Sequence, residues 1–152
     1  MTSDNRRILI CAARIDQLCV LFMRGKELCD WQVSRKGARN PKAAATQMRK
    51  WIDEFRPDIL ISENPDTASR KGEKNTNILR AIAAVCEDNP ALNMIVTRAQ
   101  RYKNLYEEAA ILAMRYPQLM QWSPKKQPIW KSEPRNVIYF EALSMALLIL
   151  DE

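Results

Sequence analysis

Phe55-Arg56-Pro57-Asp58-Ile59-Leu60-Ile61-Ser62-Glu63-Asn64 is the stretch on which the fold turns. A helical pattern runs into it and stops at Pro57, whose ring and missing N–H end a helix. Ile59-Leu60-Ile61 then forms a short strand that finishes on a carboxylate, Glu63. Open α/β sheets place their chemistry outside the carboxyl ends of their strands. Asn64-Pro65-Asp66 turns the chain away at once. Glu63 is therefore a candidate site residue carried by a rigid element. A solvated glutamate at a strand end is the plain alternative.

Upstream, residues 7–13 and 18–24 are two apolar runs separated by four turn residues, which predicts a hairpin. Gly25-Lys26 is a second turn, and Glu27 to Val33 alternates as a third strand. Asn40-Pro41 predicts a helix start, Asn at the cap and Pro in the first turn. Its apolar stripe is Ala44, Met48, Trp51, Ile52 and Phe55. Downstream, residues 65–74 form a polar, basic loop. Asn75 or Thr76 caps a helix striped by Ile78, Leu79, Ile82, Val85 and Cys86. Residues 93–97 read as a fifth strand, 103–115 and 136–150 as helices, and 117–134 as a structured, proline-rich loop. The order β β β α β α β α α implies a mixed sheet covered by helices on both faces.

The 152 residues fit one domain, 1–152, with an ordinary apolar content of 47 %. No apolar run approaches the roughly 18 residues of a membrane span, so no membrane partner is expected. The N-terminus lacks the order of a signal peptide, and a cytoplasmic protein is expected. Four cysteines stand apart and histidine is absent. That excludes most zinc sites and every His-dependent nucleophile pair. Carboxylates, Lys or Tyr are left for proton transfer. A bound metal would take oxygen ligands, which favours Mg²⁺ or Mn²⁺.

The net charge of +6 is concentrated in loops. Arg35, Lys36, Arg39 and Lys42 form one cluster, Arg70, Lys71 and Lys74 a second, and Arg98, Arg101 and Lys103 a third. Lys125, Lys126, Lys131 and Arg135 flank a proline-rich turn. Basic loops suit a polyanion, although surfaces often carry charge with no partner. Trp122 and Trp130 bracket Lys125-Lys126, an arrangement that serves either base stacking or core packing.

This order, with these residues, resembles the RuvC-type branch of the ribonuclease H-like superfamily, the Holliday-junction resolvases. The helix-Pro57-Asp58-strand-Glu63 element, Asn77 to Ala84, the helix start Lys103 to Ala109, and the closing Glu141-Ala142-Leu143-Ser144-Met145-Ala146 carry the likeness. It implies a mixed five-stranded α/β sheet flanked by helices, and a homodimer built on the helix around 77–86. It also implies branched DNA as the partner, for which the basic loops offer Arg35, Lys36, Arg39, Arg70, Lys71, Lys74, Arg101 and Lys103 as the expected contacts. Chemistry in that family uses clustered acids that hold two Mg²⁺ ions for phosphodiester hydrolysis.

The resemblance assigns acids to the end of the first strand, to Glu63, and to two positions of the last helix. Here the first position falls at Ala12, and one helix position at Ile138. Glu63 and Glu141 remain as catalytic and metal-binding candidates, expected to face each other across one cleft. Asp16 and Glu133 are possible surrogate acids, with Asp66 a further candidate at the rim. The neighbours of Glu141 on its helix are mostly apolar, so its carboxylate must be paired or open to a cleft. Three readings follow: a branched-DNA-binding pseudo-resolvase, an active Mg²⁺- or Mn²⁺-dependent endonuclease with rearranged acids, and an interaction scaffold that uses only the fold.

Overall fold

The computed structural model describes residues 5–14, 16–68, 72–97, 105–123 and 137–151. Strands β1 (Arg7–Arg14) and β2 (Gln17–Arg24) form the hairpin, antiparallel from Arg7↔Arg24 to Arg14↔Gln17. Asp16 takes the left-handed conformation at its tip, with φ 59°, which Asp tolerates better than most residues. Gly25, at φ 56°, makes the second turn, and β3 (Glu27–Ser34) pairs antiparallel with β2.

Helix α1 (Pro41–Phe55) begins as expected: the Asn40 side chain accepts a hydrogen bond from the Ala43 N–H at 2.8 Å. It ends at Arg56, which is left-handed at φ 47° and donates its N–H to the Ile52 carbonyl at 2.8 Å. Pro57 follows and commits the chain to β4 (Ile59–Glu63). Arg7 fastens this corner to β1. Its N–H donates to Asp58 Oδ2 at 2.9 Å, its Nε donates to the Phe55 carbonyl at 3.0 Å, and its guanidinium lies 5.3 Å from the Phe22 ring centre.

Strand β4 runs parallel to β1, and β5 (Leu92–Val96) runs parallel to β4. The mixed five-stranded sheet has the order β3-β2-β1-β4-β5. Alternation along β1 sends Leu9, Cys11 and Ala13 to one face and Ile8, Ile10 and Ala12 to the other. The first face packs on α1 and on α2 (Glu73–Glu87). The second packs on α3 (Leu105–Arg115) and α4 (Ile138–Leu150). Among the described residues no helix is long and apolar enough to cross a membrane.

Helix α2 departs from the expectation at its start. It opens at Glu73 after Gly72, which sits at φ 86° and gives no side-chain cap. Asn75 and Thr76 lie inside the first turn, and the Thr76 hydroxyl donates back to the Gly72 carbonyl at 2.8 Å. An acid at the first position suits the positive end of the helix dipole, which favours the earlier start. Ile78, Leu79 and Ile82 are buried in the chain's own core, while Asn77, Arg80 and Ala84 face outward. Trp122 closes a short 3-10 segment, Pro117–Trp122. It packs edge-on between Trp31 and Tyr139, with ring centres 5.7 and 5.4 Å away. The core reading of this tryptophan holds, whereas Trp130 lies outside the described residues.

Candidate functional site

Strand register collects the candidate residues at one end of the sheet. Cys11 pairs with Ser62 across the parallel β1–β4 ladder, so the next step sets Ala12 beside Glu63. Ile59 and Ile61 belong to the α4-facing core, and Glu63, two residues on, continues that face. Arg14, two residues beyond Ala12, does the same on β1. Glu141 lies in the first turn of α4, the helix that covers this face. Ala12, Arg14, Glu63 and Glu141 thus share one face, at the carboxyl ends of β1 and β4.

Glu141 is fully buried, and the Arg14 guanidinium donates from Nη1 to its Oε2 at 3.0 Å. Of the two ways a carboxylate survives among apolar helix neighbours, this one is paired. The start of α4 adds a second favourable term, because its unsatisfied N–H groups carry partial positive charge. Arg14 keeps 22 % of its side-chain surface exposed, so the pair has one dry and one partly wet end. Glu63 is also buried, at 4 %. Ile138 is at 0 %, a core residue whose carbonyl accepts a bond from the Cys19 thiol at 3.7 Å.

These residues do not fit a two-metal centre. Ala12 and Ile138 offer no side-chain oxygen, and Glu141 is neutralised by a guanidinium. Among the described residues no group of three or more His, Cys, Asp or Glu is placed to hold a metal ion. Asp16 and Asp66 do not repair this set. Asp16 stands at the hairpin tip with its side chain 78 % exposed, 3.9 Å from Lys74. Asp66 is 81 % exposed and lies 3.7 Å from Arg80. Glu133 lies outside the described residues. Tyr139 is no general base near neutral pH, because burial, with Cys19 and Asp30 adding to it, pushes its phenol up to about 12.

The basic loop shares this end of the sheet. Strand β3 finishes at Ser34, opposite Leu18 at the start of β2, so the loop that follows lies at the same end as Arg14 and Gln17. Arg35, Lys36 and Arg39 are all exposed there, on a turn held by the Gly37 N–H donating to Ser34 Oγ at 2.8 Å. Lys74, exposed at the start of α2, is brought to the same end by its ion pair with Asp16. Arg70, Lys71, Arg101 and Lys103 lie outside the described residues.

Sequence reasoning had no role for Arg14. The signal was present: it stands two residues past Ala12, on the alternation that points at α4, and Glu141 needed a partner.

A sheet in the order β3-β2-β1-β4-β5, antiparallel through its first three strands and closed by a helix over an acid at the end of β4, is the RuvC-type, ribonuclease H-like fold. Among solved structures, the chain is similar to the fowlpox virus resolvase in complex with substrate Holliday junction DNA. The TM-score is 0.67 at 9 % identity, over 95 % of this chain and 97 % of that one. Thermus thermophilus RuvC in complex with a Holliday junction substrate gives a TM-score of 0.59 at 12 % identity, over 93 % of this chain and 90 % of that one. The yeast mitochondrial Holliday junction resolvase gives 0.55 at 12 % identity, over 96 % of this chain and 78 % of that one. No family model matches the sequence, and no curated protein matches it.

Proposed function

We propose that this chain binds branched DNA as a pseudo-resolvase, a RuvC-type fold whose metal-binding acids are partly lost. One observation carries the reading: exposed Arg35, Lys36, Arg39 and Lys74 share a sheet end with Glu63, while the acid set there lacks oxygens at Ala12 and Ile138. Cations at that end meet the phosphates. Two of the similar structures hold Holliday junction DNA, which supports a branched rather than a linear substrate. A homodimer belongs to this reading, since a two-fold assembly presents its basic surface twice.

The test is binding of the purified chain to a labelled four-way junction and to linear duplex across a salt series. The junction is expected to bind more tightly. Each phosphate contact removed by Arg35→Ala, Lys36→Ala or Arg39→Ala should flatten the log K against log salt slope by about 0.9. Sedimentation of the complex is expected to show two chains per junction. Affinity indifferent to salt, or equal for both DNAs, refutes the reading. Robust junction cutting with Mg²⁺ or Mn²⁺ that vanishes in Glu63→Gln would instead establish the active endonuclease.

A further inference from the structure

We propose that Arg14 is a built-in cation: its guanidinium neutralises the fold's acid centre and keeps divalent metal out, and removing it creates a metal-responsive site at Glu63 and Glu141. The inference rests on the pseudo-resolvase reading for the identity of the acid centre, but not on DNA binding.

Three observations meet at this point. Glu141 has no exposed surface, so its charge must be balanced from within the protein. Among the described residues a balancing group is Arg14 Nη1, at 3.0 Å from Glu141 Oε2, and it arrives from a position 127 residues away in the sequence. Arg14 also projects from the strand that carries Ala12, which with Glu63 stands one step past the last Cys11↔Ser62 pair of the β1–β4 ladder. One strand end therefore offers no side-chain oxygen at Ala12 and presents a guanidinium two residues on. The acid centre keeps two carboxylates and receives its positive charge from the chain.

A guanidinium and a divalent ion are not equivalent in such a place. The guanidinium cannot be deprotonated in a protein, so its charge is permanent and indifferent to chelators. A divalent ion bound within about 5 Å of it would meet a repulsion many times RT, even at the effective dielectric of a protein site. Metal and Arg14 thus compete for the same carboxylate. A purely structural ion pair makes a different prediction, because its removal weakens the fold and divalent ions do nothing to restore it.

The experiment is thermal unfolding of the full chain, without DNA, over a Mn²⁺ titration to millimolar concentration. The wild-type melting temperature is expected not to move. Arg14→Gln is expected to melt lower in chelator and to regain about 3–5 °C when Mn²⁺ reaches roughly ten times its dissociation constant. That recovery should disappear in the Arg14→Gln, Glu63→Gln double variant. Arg14→Lys keeps a cation and is expected to stay unresponsive. A folded Arg14→Gln with no Mn²⁺ response overturns the proposal, as does a wild-type response that Glu63→Gln removes. If Arg14→Gln does not fold, Mn²⁺ electron paramagnetic resonance of the wild type decides: an undiminished free-ion signal supports the proposal, and a bound fraction lost in Glu63→Gln overturns it. Because no DNA is present, failure of DNA binding and failure of this proposal read out separately.

Discussion

Removing either end of the Arg14–Glu141 pair should cost very different amounts. Arg14→Ala takes a guanidinium donor from a carboxylate that has no exposed surface and sits over the α4-facing core. Removing one partner of a buried pair costs about 3–5 kcal/mol, because the remaining charge is uncompensated. Arg14 is 22 % exposed, so part of the pair was already hydrated and about 3 kcal/mol is the appropriate end of that range. Glu141→Gln removes the negative charge and keeps an acceptor. The Arg14 guanidinium can turn further into water and still donate to the Gln amide oxygen, so about 1 kcal/mol is expected, the size of one ordinary hydrogen bond. With a urea m value of about 2 kcal/mol/M, the first variant lowers the midpoint by about 1.5 M and the second by about 0.5 M. Urea titrations followed by tryptophan fluorescence read both. Equal losses, or a greater loss in Glu141→Gln, would show that the charge at Glu141 is balanced from elsewhere.

Two further outcomes test other parts of the structure. A Cβ built on Gly37 would stand 3.1 Å from each of Gln47 Cβ, Leu18 Cδ2 and Ser34 Oγ, on the turn that carries Arg35, Lys36 and Arg39. Gly37→Ala should destabilise by about 1–2 kcal/mol through overpacking, read in the same urea titration. In native protein a thiol reagent at pH 8 should label Cys29 alone, because Cys11, Cys19 and Cys86 are buried and burial pushes the Cys86 thiol up to about 12. That raised value also sets a sign: the contribution of Cys86 to stability is complete below the unfolded thiol value and falls as pH rises toward 12, since only the unfolded chain ionises there.

Most of the fold could be read from the chain because its signals are local. Asn40-Pro41 fixes the start of α1 with a cap that the structure contains, and Pro57 fixes its end. The stripes of α1 and α2 are the residues that pack on the sheet. Where local signals competed, the reading slipped: Asn75 and Thr76 look like caps, yet Glu73 after a positive-φ Gly72 begins the helix. The site was readable by halves. Glu63 and Glu141 stand out by element and pattern, but the ion pair joins positions 14 and 141, and no pattern within a window of sequence encodes it. Strand register was needed to show that Arg14, Ala12 and Glu63 share a face and that the basic loop shares their end of the sheet.

On the proposed function, that arrangement would separate holding DNA from cutting it. A phosphate approaching two carboxylates is repelled, and in an acid centre that holds metal the bound ions offset that repulsion. Here Arg14 supplies a permanent positive charge to Glu141, and exposed Arg35, Lys36, Arg39 and Lys74 stand at the same end of the sheet. The electrostatic obstacle to a phosphate is reduced with no ion bound. What a guanidinium does not do is activate a water at neutral pH or stabilise the attacking and leaving oxygens together, which is the work of a metal pair. On the proposed reading, a guanidinium in place of a metal would let the acid centre tolerate DNA and would not supply the means of cleaving it. Two outcomes are expected on that reading: junction binding by the wild-type chain unchanged by a chelator, and a junction left uncut when Mg²⁺ is added, both read on one gel.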